Sequence, residues 1–200
     1  MSDFDLTYTQ TGDLGNKIGG QEGAKGILSG ELVVVKRSEA NRRWIKIDEN
    51  TIAVDLESSP GLPFAGAQVE KHIGVGGAIF QKQADGLYRN GRKVGLHLSG
   101  RQKGGKVVKG YELRDELTGK PVLNANELDA LYDNPHLLPE EWKRDENGNI
   151  RFIFFWGTIY RNSDGGLYVR YIYFDGGSWD RVFSWLDRGW RGNDPAALAS

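Results

Sequence analysis

The sequence predicts an α+β domain, and three observations carry that prediction. Alternating and β-branched runs fill the first half of the chain, helix signals cluster between residues 111 and 142, and strand signals return from Phe152 onward. Strands, then a few helices, then strands suit an α+β domain better than a repeating βαβ array. At 200 residues, 38% hydrophobic and 26% charged, the chain is globular in composition and long enough for one domain with its own core.

The elements follow in order. Residues 1–30 are rich in Gly, Thr, Gln and Asp and are expected to form an irregular lead-in, with residues 31–200 as a single domain. Residues 31–36 (ELVVVK) are a β-branched run and a predicted strand. Residues 44–47 and 51–56 alternate around Asp48-Glu49-Asn50, the pattern of a hairpin. Residues 58–63 (SSPGLP) are a break, and residues 67–73 fit a short helix and a strand equally well. Asn90-Gly91, inside residues 87–98, is a two-residue hairpin signal because both positions tolerate positive φ.

Residues 111–117 predict a short helix stopped by Gly119 and Pro121. Asn124-Ala125-Asn126-Glu127 has the form of a capping box, Asn124 accepting from first-turn amides and Glu127 reaching back. Leu128, Leu131 and Tyr132 share one face of the helix that follows, which Asn134-Pro135 ends. Residues 139–142 predict a further short turn. Residues 152–156 (FIFFW) read as a buried strand. Asp164-Gly165-Gly166 is a turn, and residues 167–174 form a strand with Leu167, Val169, Tyr171 and Tyr173 on one face.

Several function classes find no support. The net charge is −1 with an isoelectric point near 6.3, so no nucleic-acid partner is expected. With no cysteine there is no disulfide scaffold, thiolate metal site or cysteine nucleophile. No apolar run approaches the roughly 18 residues of a membrane span, and no basic start precedes an apolar stretch. The chain is therefore expected to be cytoplasmic, with surface display left open. His72, His97 and His136 have no metal-ligand spacing, and no serine sits in a GxSxG elbow. Gly74-Val75-Gly76-Gly77 lacks the phosphate-loop lysine. No catalysis, cofactor or metal is expected.

The C-terminal segment carries the strongest signal. Five of the six tryptophans lie at or after Trp142, so aromatic anchoring concentrates there. Residues 175–194 are too poor in aliphatics to fill a core alone. They predict an irregular loop pinned by tryptophans, with short polar side chains outward. Tyr and Trp offer rigid contact area while Ser, Gly and Asn offer adaptable hydrogen bonds, the mixture of antibody-like binding surfaces; Arg adds charge-assisted and stacking contacts.

In Gly176-Gly177-Ser178-Trp179, Trp185-Leu186-Asp187, Trp190 and the terminal Pro195-Ala196-Ala197-Leu198-Ala199-Ser200, the chain resembles the variable proteins of diversity-generating retroelements. Residues 122–142 and the following 154–161 resemble the constant part of such proteins, so the resemblance covers about the last 140 residues. It implies a C-type-lectin-like fold, with a twisted antiparallel sheet, two or three short helices and a loop-rich C-terminal face. It also implies a variable region over about residues 160–200, in which adenine-directed copying rewrites chosen codons while tryptophan codons stay fixed. The permitted residue set fits Asp175, Ser178, Asp180, Arg181, Phe183, Ser184, Arg188, Arg191, Asn193 and Asp194, with Tyr168, Tyr171 and Tyr173 as further positions. Trp156, Trp179, Trp185 and Trp190 are the implied scaffold anchors.

The chain departs from the family in lacking its GFRV-like terminal strand, so the end of the sheet is expected to differ. It also lacks the lectin calcium motif. The expectation is a non-catalytic binder of an unidentified protein or surface glycan, of unspecified oligomeric state. One rival is a carbohydrate-binding or carbohydrate-active protein with tryptophan platforms, which as an enzyme would use a carboxylate such as Glu140, Glu141 or Asp187. Another is an oligomerisation module with the aromatic tail between subunits, sensitive to Trp190 and Phe183.

Overall fold

Turn chemistry sets the register of the first half of the sheet. A computed structural model describes residues 43–200, so the expected lead-in over 1–30 and the expected strand over 31–36 lie outside the described residues. Strands β1 (Trp44–Asp48) and β2 (Thr51–Asp55) form the expected antiparallel hairpin, its turn tied by Asn50 N donating to Asp48 Oδ1 at 2.8 Å. The ambiguous residues 67–73 resolve as a strand, β3 (Gln68–His72). The chain then runs through β4 (Gly77–Gln83), β5 (Gly86–Arg89) and β6 (Arg92–His97) as an antiparallel meander. Between β5 and β6, Asn90 and Gly91 take φ of 48° and 75°, the backbone a tight primed turn requires. Asn90 Oδ1 also accepts from Ile79 N at 2.7 Å, which ties the turn to β4.

A short strand β7 (Val108–Lys109) leads into helix α1 (Gly110–Leu117), and helix α2 (Ala125–Asp133) follows. The α2 box forms as expected. Asn124 Oδ1 accepts from Asn126 N and Glu127 N at 2.9 and 3.1 Å, and Glu127 Oε2 accepts from Asn124 N at 2.6 Å. Burial pushes the Glu127 carboxyl above its ordinary pKa, against the pull of Arg89, whose Nε lies 2.5 Å from it. Leu128 and Leu131 are fully buried, each contributing about 2 kcal/mol of apolar burial. Tyr132 is half-buried. Single turns of 3-10 helix follow at Pro135–Leu137 and Glu140–Trp142.

The remaining strands are β8 (Ile153–Arg161), β9 (Leu167–Asp175), β10 (Ser178–Trp185), β11 (Gly189–Trp190) and β12 (Ala196–Ala199). The curled sheet runs β1-β2-β4-β5-β6-β12-β8-β9-β10, with β3 also on β8, while β7 and β11 form a separate pair. All ladders are antiparallel except the single β12–β8 bridge, Ala196 to Phe154. Thus the last strand lies inside the sheet, antiparallel to β6 with Ala197 opposite Leu96.

Two apolar clusters flank the sheet. Ile52, Phe80, Leu128, Leu131, Trp142, Phe155, Ile172 and Ala197 form one. Val108, Leu113, Phe154, Trp156, Val169, Leu186 and Trp190 form the other. Strand β8 feeds both, Phe155 to one side and Phe154 and Trp156 to the other, which is why its sequence is a continuous apolar run. One expectation is corrected. Residues 178–185 form a regular strand instead of an irregular loop, because pairing with β9 satisfies their backbone without any aliphatic core of their own. Among the described residues no helix is long and apolar enough to cross a membrane.

Candidate functional site

The β9–β10 hairpin organises the C-terminal candidates. Gly176 and Gly177 take φ of 57° and 94°, making a two-residue turn that sets Ser178 opposite Asp175. Asp175 and Ser178 are exposed at its tip. From there the period-2 alternation of strands splits the candidates between two faces.

One face holds Tyr171 and Tyr173 on β9 and, opposite Tyr173, Tyr171 and Val169 across the ladder, Asp180, Val182 and Ser184 on β10. Phe152 packs between the tyrosines, its ring centroid 5.7 Å from Tyr171 and 5.6 Å from Tyr173. Tyr171 and Tyr173 stay half-buried while Asp180 and Val182 are exposed, so the face is a partly open aromatic surface with a polar rim. Partial burial pushes the Tyr171 phenol above its ordinary pKa.

Residues 186–195 extend this face. Arg188 is the organiser. Its guanidinium lies 4.0 Å over the Trp190 ring and clamps Asp194 through Nη1 and Nη2 at 2.9 and 3.0 Å, while Nε donates to Ser184 Oγ at 2.6 Å. Asp194 also accepts from Arg191 N at 2.8 Å. The buried Gln102 amide donates to the carbonyls of Arg191 and Asp194 at 2.8 and 3.0 Å. Phe152 N donates to Asn193 O at 2.8 Å and Asn193 Nδ2 to Ile150 O at 3.2 Å. These bonds hold a loop of irregular backbone in one shape while the Arg191 side chain remains exposed.

Beside the loop lies a cleft of about 390 Å³ walled by Val107, Phe152, Arg188 and Asn193. A larger groove of about 890 Å³ shares Arg191 and Asn193 with it. Lys103, Arg151 and Arg191 line that groove together with Asp145 and Glu146, so it presents both signs of charge. The Asn149 side-chain amide, with backbone amides of Asn149 and Asn147, holds the Asp145 carboxyl below its ordinary pKa. The larger groove has the dimensions of a ligand site, but its walls are polar rather than apolar.

The opposite face takes Tyr168, Arg181 and Phe183. Phe183 packs on Phe64 at 4.9 Å and on Tyr168 at 5.8 Å. Arg181 reaches α2, where its Nη1 lies 2.8 Å from Asp129 Oδ1 and its guanidinium 4.5 Å over Tyr132. Asp129 is already held by the buried Arg170 at 2.6 and 3.1 Å, with Arg43 at 3.8 Å. Sequence alone did not reveal Asp129 or Phe152 as partners of the candidates; a buried charged helix position is visible only once its long-range partners are placed.

Two of the expected roles change. Trp156, Trp179 and Trp190 are buried, whereas Trp185 is 49% exposed and stacks nearly parallel to Tyr168 at 6.5 Å. It lies on β10, which ends the strand order among the described residues. Asp194, expected on the display surface, is instead 3% exposed and locked by Arg188. The candidate carboxylates Glu140, Glu141 and Asp187 are all exposed, Glu140 being paired with Lys143. Among the described residues no group of His, Asp and Glu has the arrangement of a metal site. No protein-family model, curated protein or solved structure matches this chain.

Proposed function

We propose that this chain is a non-catalytic ligand-binding protein, a C-type-lectin-like variable protein whose open face is rewritten by a diversity-generating retroelement. The observation that carries the reading is the gathering of Tyr171, Tyr173, Asp180, Ser184, Arg191 and Asn193 around one face and its adjoining loop, over a floor of buried Trp190, Phe154 and Asp194. Side chains above such a floor can change without disturbing the backbone beneath, because the Arg188–Asp194 clamp and the Gln102 bonds hold it. Recognition would use stacking and edge contacts of the tyrosines, with Asp180 and Arg191 fixing orientation. The partner class is another protein or a surface glycan.

The test is the DNA around the gene. A near-copy of the codons for residues 160–200, differing at adenines and lying beside a reverse transcriptase gene, is expected. Its mismatches should fall on the open-face codons and spare Trp179 and Trp190. A neighbourhood without such a repeat would remove the diversification reading. One observation favours a second reading: the exposed Trp185, stacked on Tyr168, has the form of a platform for a sugar ring. Glycan-array binding lost in Trp185→Ala would support it.

A further inference from the structure

The outer edge of the sheet suggests its own partner. Strand β10 ends the strand order, and among the described residues β9 is its sole strand neighbour. Ser178, Asp180, Arg181, Val182 and Trp185 along it are exposed. Such an edge offers a row of backbone donors and acceptors to any strand laid beside it.

The direction of those groups is fixed by one hydrogen bond. Leu186 N donates to Leu167 O at 2.9 Å, on the same register line as the β9–β10 ladder. Even-numbered residues of β10 therefore bond inward to β9, and the N–H and C=O groups of Trp179, Arg181, Phe183 and Trp185 point outward. A second copy related by a two-fold axis normal to the sheet keeps each face on its own side. Residues set opposite each other must then be of the same parity.

We propose that β10 pairs antiparallel with β10 of a second copy of this chain, in the register that sets Val182 opposite Val182. Val182 is the centre of the segment Trp-Asp-Arg-Val-Phe-Ser-Trp over residues 179–185, with a tryptophan three residues away on each side. In this register Trp179 meets Trp185 of the second copy, and the exposed indole gains an aromatic neighbour. The Arg181 stem meets Phe183, and Asp180 meets Ser184. Ser184 Oγ already accepts from Arg188 Nε, which leaves its O–H free to donate to the incoming carboxylate. All the outward backbone groups of residues 179–185 fall into hydrogen-bonded pairs, and Val182 sits in a close non-bonded pair.

The neighbouring registers are worse. Centring on Arg181 sets the exposed Asp180 carboxylate against Val182, and centring on Phe183 sets Asp180 against the fully buried Leu186. The charge of Arg181 does not guard the edge, since its guanidinium is turned onto Asp129 and Tyr132. This pairing shares Asp180 and Ser184 with the open face, but its backbone bonds come from the odd-numbered residues and do not depend on a ligand there.

Sedimentation of the full chain over a wide concentration range tests it. The unmodified protein should be a dimer, and Val182→Lys and Val182→Glu should each weaken it by at least about tenfold, because each places like charges directly opposite. Both variants should keep the parent melting temperature. An equimolar mixture of the two should re-form the dimer, since Lys then faces Glu only if residue 182 faces itself. A monomeric parent, variants that remain dimeric, or a mixture that remains monomeric would each overturn the proposal.

Discussion

Asp194 and Arg191 stand three residues apart in one loop and belong to different parts of the molecule. Asp194 is enclosed, with two guanidinium bonds and a backbone amide on its carboxylate, whereas the Arg191 side chain is exposed. Asp194→Ala leaves the partly buried Arg188 unpaired and should cost about 2 kcal/mol. Arg191→Ala should change stability by less than about 0.5 kcal/mol. Urea denaturation of the two variants measures the contrast, and equal losses would mean that the clamp is not what holds the loop. Both residues belong to the small polar set that marks display positions in sequence. Composition cannot separate them, because the distinction lies in a partner six residues back for one and in solvent for the other. The same holds for Trp185: the resemblance implies an anchor, and only its exposed place on the edge strand shows otherwise.

At the scale of elements, local signals were legible and long-range ones were not. The Asn90-Gly91 turn and the Asn124–Glu127 box formed where the sequence put them, because each is satisfied by atoms within a few residues. Residues 67–73 could not be assigned in advance, since β3 owes its extended form to pairing with β8, about 90 residues away. Residues 178–185 mislead for a different reason: they carry no aliphatic core of their own, and their strand form comes from the hairpin with β9 across Gly176-Gly177. Helix α1 shows how close such long-range approaches become. A Cβ on Gly110 would collide with the Leu186 carbonyl and the Trp190 indole nitrogen, and Gly110 N donates to Leu186 O at 3.1 Å. Gly110→Ala, although favourable for an isolated helix, should destabilise the protein by about 2 kcal/mol through overpacking. Thermal melting reads the sign directly, and a stabilised variant would refute the contact.

For the whole molecule the α+β class was readable from the order of element types, but the strand order was not. The sequence places residues 196–199 last, and the structure places them between β6 and β8. Their four residues, mostly alanine, are small enough to lie between two cores. A chain stopped after Asp194 loses the strand that joins the meander to the β8–β10 sheet, and two ladders lose a neighbour. Its cooperative melting transition should disappear, measured by circular dichroism. Retention of a sharp transition would show that the meander and the C-terminal sheet hold together without β12.

The interior position of β12 also sets a schedule. During synthesis every other strand of the sheet leaves the ribosome before it, so β6 waits with one edge bare until residues 196–199 arrive. Pairings spanning about a hundred residues, such as Ala199 with Val94, form late and slowly because a long loop must close first. A nascent chain of this design is most exposed to wrong pairing in the interval before β12 docks, when another chain's edge can take the empty place.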